Sequence, residues 1–527
     1  MSFFFSVATL AASASARSVV LEHVPVLPAD WKQLDNVVDS AGEVSFSIAL
    51  KQPNIDIPAL MAQGGKHISL DEVRAMRAPD RSCVDRVMKW LRDENISNVR
   101  QERDMIHVHT TVADAEKLLS GNFSHHAHGG KVSELRTQEY SIPEELADSI
   151  SFINPVANFM RPSGDDNQTA PKIPCHDGVG ISCLKKLYNI TYESPDSNSP
   201  ARLGISGYLE LHANHDDVRA FLSKQTNITN YDFKVKKVNG GEDPGTPVGT
   251  EAVLDLEYGM GIGYPASVTY YATGGRGDMI DPDGQLVKGI KSDNEPYLEF
   301  INHLLEKPDE QLPHVLSVSY GEDELSVPKQ YAKRVCDAYG LLTKRGTIIH
   351  ASGNGGSTGG HYGKCRSRDG KNTNITMPTF PASCPWVTTA SAADGYIRGL
   401  DGHLDGYYNK NGRAIPDVSI VGDNFWVMHN GTSKYIWGTS ASAPVFAAMI
   451  TLVNDARLRA GKQSVGYINE LLYSKEGVAA FSDITRGTSY HCDFAARGWP
   501  ATQCWDAVTG LGEPRDFSKL MKLLYAA

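Results

Sequence analysis

The sequence predicts an α/β protein, a parallel-sheet domain preceded by a small α+β domain. Three observations carry this. At 527 residues the chain is too long for one ordinary core. Its longer C-terminal part alternates short apolar runs with segments of helical apolar spacing, the signature of a parallel sheet. Its N-terminal part holds two strand-then-helix units, which fit a ferredoxin-like fold.

The elements follow in order. Residues 45–50 alternate apolar and polar side chains like a half-buried strand, and residues 84–91 repeat apolar positions at helical spacing. Residues 106–111 alternate again, and residues 112–119 form an amphipathic helix pattern. Arg161-Pro162-Ser163-Gly164-Asp165-Asp166-Asn167-Gln168 reads as an exposed polar linker, the kind of segment proteolysis favours. Beyond it, residues 203–208, 315–320 and 346–350 read as buried strands. Helices over 216–222, 294–305 and 329–341 alternate with them.

Composition excludes several classes. Hydrophobic residues at 41% and charged residues at 21% are ordinary for a soluble globular protein. A net charge of -11 argues against nucleic acid as a partner. No apolar run after the N-terminus is long enough to span a bilayer. Residues 3–12 are apolar, and Ala14-Ser15-Ala16 reads as a cleavage site, so residues 1–16 are expected to be a secretory signal, although its start lacks Lys or Arg. N-x-[ST] sequons at Asn95, Asn122, Asn167, Asn189, Asn227, Asn374 and Asn430 agree with secretion. The expected location is extracellular or an acidic, lysosome- or vacuole-like compartment.

The eight cysteines then stand where disulfides are permitted. Cys175 with Cys183, and Cys492 with Cys504, would each close a local loop. Cys336 with Cys384, or Cys365 with Cys492, are longer alternatives, and spacing does not choose among them. Cys83 stands alone. No C-x-x-C occurs, which argues against a zinc or redox site.

Three segments carry chemistry. Gly438-Thr439-Ser440-Ala441-Ser442-Ala443-Pro444 places a hydroxyl where a turn enters an apolar helix, and helix N-terminal amides favour developing negative charge there. The same residues would also serve as an N-capping cluster with proline in the first turn. Glu251 and Asp255 are four residues apart, hence on one helix face, with Leu254 and Tyr258 beside them. Buried, such a pair cannot both ionise easily, and one could take the Ser440 proton; exposed, it is an ordinary acidic face. Ser352-Gly353-Asn354-Gly355 follows an apolar strand, and Asn354 can donate an amide hydrogen bond to an oxyanion.

Together these segments resemble the sedolisins, or serine-carboxyl peptidases, whose set is Glu, Asp, Asp and Ser on a subtilisin-like fold. Glu251, Asp255 and Ser440 match that set. The family turn reads S-G-D, so Asn354 departs from it, though subtilisins use Asn for the same role. Gly65-Lys66-His67-Ile68-Ser69 and Thr110-Thr111-Val112, followed by Ala115-Glu116 and Leu118-Leu119, are similar to phrases of the family's activation prodomain. The resemblance implies a subtilisin-like catalytic domain over residues 175–527. Before it come a prodomain over 17–160 and a linker with the processing site over 161–174. It implies an acid-acting, self-processing zymogen that cleaves peptides or unfolded proteins, as tripeptidyl-peptidase or endopeptidase, inhibited by its own prodomain and acting as a monomer. A catalytically impaired binding protein is the alternative, with Asn354 in its favour. The resemblance also implies one calcium ion, held by the carboxylates of Asp483 and Asp506 and the carbonyls of Ile484, Thr502 and Cys504.

Overall fold

A computed structural model describes residues 18–527 apart from 24–30, 34–37, 65, 129–131, 155, 157–177, 278, 281–285, 288–293, 360–364, 369–370, 372, 390–395, 397–398 and 401. The expected signal segment 1–16, the linker 161–174, Asn167 and Cys175 lie outside the described residues. The chain forms two compact units, Met1–Pro53 with Ala78–Asn158, and Asn54–Arg77 with Phe159–Ala527.

The smaller unit is built on a four-stranded antiparallel sheet, ordered Asn98–Glu102, Met105–Thr111, Glu43–Leu50, Ile150–Asn154. Helix Arg81–Asp93 buries Val84, Val87, Trp90 and Leu91, the stripe that its spacing predicted. Its N-cap Asp80 accepts the amide of Ser82, satisfying an orphan donor. Helix Val112–Leu119 is capped by Thr111 and buries Val112, Ala115, Leu118 and Leu119. The strand–helix–strand–strand–helix–strand order and the sheet order together are ferredoxin-like.

In the larger unit, β1 (Arg202–Gly207), β2 (Lys234–Val238), β3 (Ser267–Thr273), β4 (Val315–Val318) and β5 (Thr347–His350) form a parallel sheet ordered β2-β3-β1-β4-β5. Order reverses beside β1, so the carboxyl ends of β1 and β4 open a crevice there. The helices are α1 (His215–Gln225), α2 (Thr250–Gly263), α3 (Tyr297–Leu305), α4 (Lys329–Thr343) and α5 (Thr439–Arg459). Leu203 and Ile205 of β1 face α2, while Tyr271 of β3 meets Phe300 of α3 on the other side. Residues 252–263 of α2 are all buried, Asp255 and Glu257 among them. Gly261 lets α2 approach Ile181, whose Cδ1 would lie 2.5 Å from an added Cβ. Leu254, Leu256, Met260 and Ile262 are nearly fully buried. At about 1.5–3 kcal/mol each, they offset the cost of seating carboxyl groups on the same helix.

Of the disulfide alternatives that spacing left open, Cys365 bonds Cys492 and Cys336 bonds Cys384. Cys183 is also disulfide-bonded. Cys504 is an exposed free thiol at φ 69°, and its amide is turned to the carboxylate of Asp483. Within the expected prodomain, Asn54–Arg77 compacts with the larger unit and buries Ile57, Leu60 and Met61. The helix expected from residue 294 starts at Tyr297, since Pro296 ahead of it constrains the backbone of residue 295. Mass mapping of the unreduced protein after alkylation should therefore find Cys365 joined to Cys492 and Cys504 alkylated. A Cys492–Cys504 peptide would contradict this arrangement.

Candidate active site

The three chemical segments meet at the carboxyl end of the sheet. Ser440 is the second residue of α5, and Gly438 ahead of it offers no side-chain cap. The positive end of the helix dipole thus faces the Ser440 region. Gly438 sits at φ 141°, where side chains are strained, and a Cβ there would lie 3.0 Å from Asn354 Nδ2.

Glu251 and Asp255 lie one turn apart on α2, and Asp255 is 1% exposed. The acidic-surface-face reading of this pair is thereby overturned. Ser319, just past β4, joins the parts: its Oγ lies 2.7 Å from Asp255 Oδ1 and 3.3 Å from the carbonyl oxygen of Ser440. Ser440 Oγ in turn donates to the carbonyl of Ser319 at 3.1 Å. Glu251 Oε1 and Asp255 Oδ2 are buried and take no hydrogen bond from any described group.

Burial pushes the Glu251 carboxyl up to about 7, with the Ser440 hydroxyl beside it pulling the other way and the negative charge of Glu295 adding to the rise. Burial also holds Asp255 well above the carboxylate range; the charge of Glu251 adds to this and the Ser319 hydroxyl opposes it. The charge of Glu251 raises Asp255, so the two titrate as a coupled pair that takes up protons in mild acid.

Asn354 follows β5. Its Oδ1 accepts the Thr439 amide at 2.7 Å and the Thr439 hydroxyl at 2.9 Å. A backbone N–H can only donate, which fixes the amide's orientation. Nδ2 is thus left on the Gly438 side, as a donor at the head of α5. Thr439 Oγ1 also takes the amide of Gly353 at 3.1 Å, so the turn and the helix start hold one another. Two cavities of ≈ 540 and ≈ 440 Å³ open beside Asn354 and Thr439. Leu325, Met377, Tyr408 and Trp499 line the larger, and Pro416 and Trp437 the smaller. Such concave, largely apolar spaces suit peptide side chains.

Sequence reasoning missed Ser319 and Thr439. Ser319 had a signal, a small polar residue at the carboxyl end of a core strand. Thr439 was read with its neighbours as a possible cap, but its actual partner, Asn354, is 85 positions away.

The expected calcium residues come together without forming a side-chain cage. Among the described residues no three His, Cys, Asp or Glu side chains gather as a metal site. Asp483 Oδ2 accepts the amide of Cys504 at 2.8 Å. Asp506 is fully buried; its oxygens take the amides of Thr502, Val508 and Thr509. Burial raises its pKa and these amides oppose the rise.

Comparisons with known proteins give the family. Residues 29–159 match the model "Pro-kumamolisin, activation domain", and residues 219–472 match "Subtilase family". A probable tripeptidyl-peptidase SED2 of Trichophyton verrucosum is 31% identical, over 98% of each chain. Tripeptidyl-peptidase sed4 of Aspergillus fumigatus is 32% identical, over 98% of each chain. A solved Pseudomonas sedolisin (serine-carboxyl proteinase), complexed with pseudo-iodotyrostatin, is 15% identical with a TM-score of 0.48, covering 66% of this chain and 98% of its own. This chain belongs to the sedolisin family: it is a serine-carboxyl peptidase made as a zymogen with an activation prodomain.

Proposed function

We propose that the enzyme removes tripeptides from the N-termini of peptides and unfolded proteins in an acidic environment. The relatives' names support the tripeptidyl reading. The observation that carries the mechanism is the Ser319 hydroxyl, which ties the buried acid pair to the backbone of the nucleophile. Ser440 Oγ attacks the peptide carbonyl and passes its proton to Glu251, with Asp255 holding the shared proton. Glu251 returns the proton to the leaving amine, and water then hydrolyses the acyl-enzyme by the reverse proton path. Asn354 Nδ2 and the Ser440 amide hold the oxyanion. The alternative of an impaired binding protein is not supported, because Asn354 presents a donor rather than an acceptor at the head of α5.

Digestion of a long peptide by the mature enzyme should release successive tripeptides. Internal fragments instead would replace this reading with endopeptidase action. The precursor should shorten on acidification, with its new N-terminus in residues 160–175, and Ser440→Ala should stop or slow that cut. Normal processing of pure Ser440→Ala precursor would exclude self-activation.

An oxyanion-hole Asp donates only when protonated, whereas an Asn amide donates at any pH. Asn354→Ala should lower kcat by roughly 10²–10³, the loss of one oxyanion donor. Asn354→Asp should draw the alkaline limb of the kcat/KM profile towards acid. An unchanged kcat in Asn354→Ala would remove Asn354 from the mechanism.

Calcium is proposed at Asp483, Asp506 and the carbonyls of Ile484, Thr502 and Cys504. These donors are all hard oxygens, two of them anionic, as calcium prefers. Bound there, the ion would keep buried Asp506 ionised and fasten the 483–484 turn to the 502–506 turn. With two carboxylates alone, carbonyls supply the remaining ligands. A chelator should lower the melting temperature of the wild type, and Asp506→Asn should mimic that loss and abolish the chelator's effect. Equal melting with and without chelator would count against the site.

Secretion and glycosylation are part of the same proposal. Asn95, Asn122, Asn189, Asn227 and Asn430 are exposed, as glycan acceptors must be. The proposed assembly is a monomer. Among the described residues no helix is long and apolar enough to cross a membrane.

A further inference from the structure

Asn54–Arg77 belongs to the activation-domain match, yet it compacts with the peptidase unit. Its hold has three points. Ile57 fills the notch left by Gly340 on α4, where its Cγ2 would lie 2.5 Å from an added Cβ, next to Trp386. Lys344, the C-cap of α4, donates from Nζ to the carbonyl of Gly64 and accepts the amide of Ile68 at 3.2 Å on its own carbonyl. At the far end, buried Arg77 donates to Asn302 at 2.6 Å and to Glu306 at 3.4 Å. Arg74 reaches the other Glu306 oxygen at 3.3 Å. Glu306 caps the C-terminus of α3, and cations are favoured where a helix ends.

His67 sits between the two Lys344 hydrogen bonds. It lines a small pocket with Met61, Thr343, Gly466, Tyr467 and Glu470, and its buried Nε2 takes no partner among the described groups. A Cβ on Gly466 would stand 3.5 Å from that nitrogen. Lys344, Lys66, Arg457 and the ring of His314 surround it on the basic side, with Asp309 and Glu470 on the acidic side. His67 is half-buried, so a second charge brought in beside Lys344 would be repelled by it and only partly screened by solvent.

We propose that Asn54–Arg77 is an acid-released clasp that fastens the activation segment to the ends of α3 and α4, and that protonation of His67 opens it. This rests on the zymogen reading and names the contact that acid breaks. Burial lowers the docked imidazole's pKa, with Lys344 and Arg457 adding to this and Asp309 and the Ser464 carbonyl opposing. Freed, His67 returns towards its ordinary 6.5. Opening therefore takes up a proton: the clasp keeps its full hold above about 6.5 and weakens as pH falls below it.

The test uses the full-length Ser440→Ala precursor, in which opening is separated from cleavage. Hydrogen exchange of the Ile68 amide, corrected for intrinsic rate, should show an opening constant that is flat above pH 6.5. Below that it should rise up to tenfold per pH unit, the slope for one proton taken up. Adding His67→Gln, which keeps a polar side chain but cannot protonate, should flatten the profile between pH 6.5 and 5. Adding Arg77→Gln instead should raise opening at every pH and leave the slope unchanged. A pH-independent opening constant in the Ser440→Ala precursor, or an unaltered slope after His67→Gln, would overturn the proposal. Should His67→Gln fail to fold, the slope in the Ser440→Ala precursor alone decides. If Ser440-intact precursor never self-processes while the clasp still titrates, the self-processing reading fails and the clasp stands.

Discussion

Two carboxyl groups on one largely buried helix turn are the constraint around which the peptidase unit is arranged. Neither Glu251 nor Asp255 can hold its charge cheaply in that setting, so the folded chain keeps a proton between them. Both folded pKa values are raised. Their contribution to stability is therefore fully present below the ordinary carboxylate range and is lost as pH rises towards about 7. The fold is thus biased to acid by the same pair that is proposed to take the Ser440 proton. Ser319 transmits this, because one side chain touches Asp255 and the backbone of Ser440.

The rest of the unit supplies rigidity at that point. α2 is enclosed by β1, α1 and α5, and its glycines permit close approach to Leu203, Ile181 and Ala448. On the far side of Ser440, Asn354 and Thr439 lock the β5 turn to the first turn of α5. A donor held at its oxygen, beside a Gly353 amide tied to the same Thr439, costs little reorganisation as negative charge develops, which is where such sites gain most.

Local pattern made much of this legible. The 106–111 and 203–208 runs announced strands, and the 112–119 stripe announced its helix, because period 2 and period 3.6 are written in adjacent residues. Glu251, Asp255 and Ser440 were legible because their spacing and flanking residues form motifs. Pairing across distance stayed open. Cys492 joins Cys365 at a separation of 127 rather than nearby Cys504, and nothing local distinguishes the two partners. The destination of Asn54–Arg77 was equally hidden. Its helices look like any others, and the side chains that receive them, Asn302, Glu306 and Lys344, lie more than 200 positions away.

The central claim is that the acid pair shares one proton while the enzyme works. Infrared difference spectroscopy of the mature enzyme, with isotope-labelled carboxyl groups, tests it directly. In mildly acidic solution the wild type should show one buried, protonated carboxyl band that is lost or shifted in both Glu251→Gln and Asp255→Asn. Its disappearance on raising pH should track the pair as a unit. A wild-type spectrum in which both carboxyls are ionised throughout the active range, or a band indifferent to both substitutions, would contradict the account.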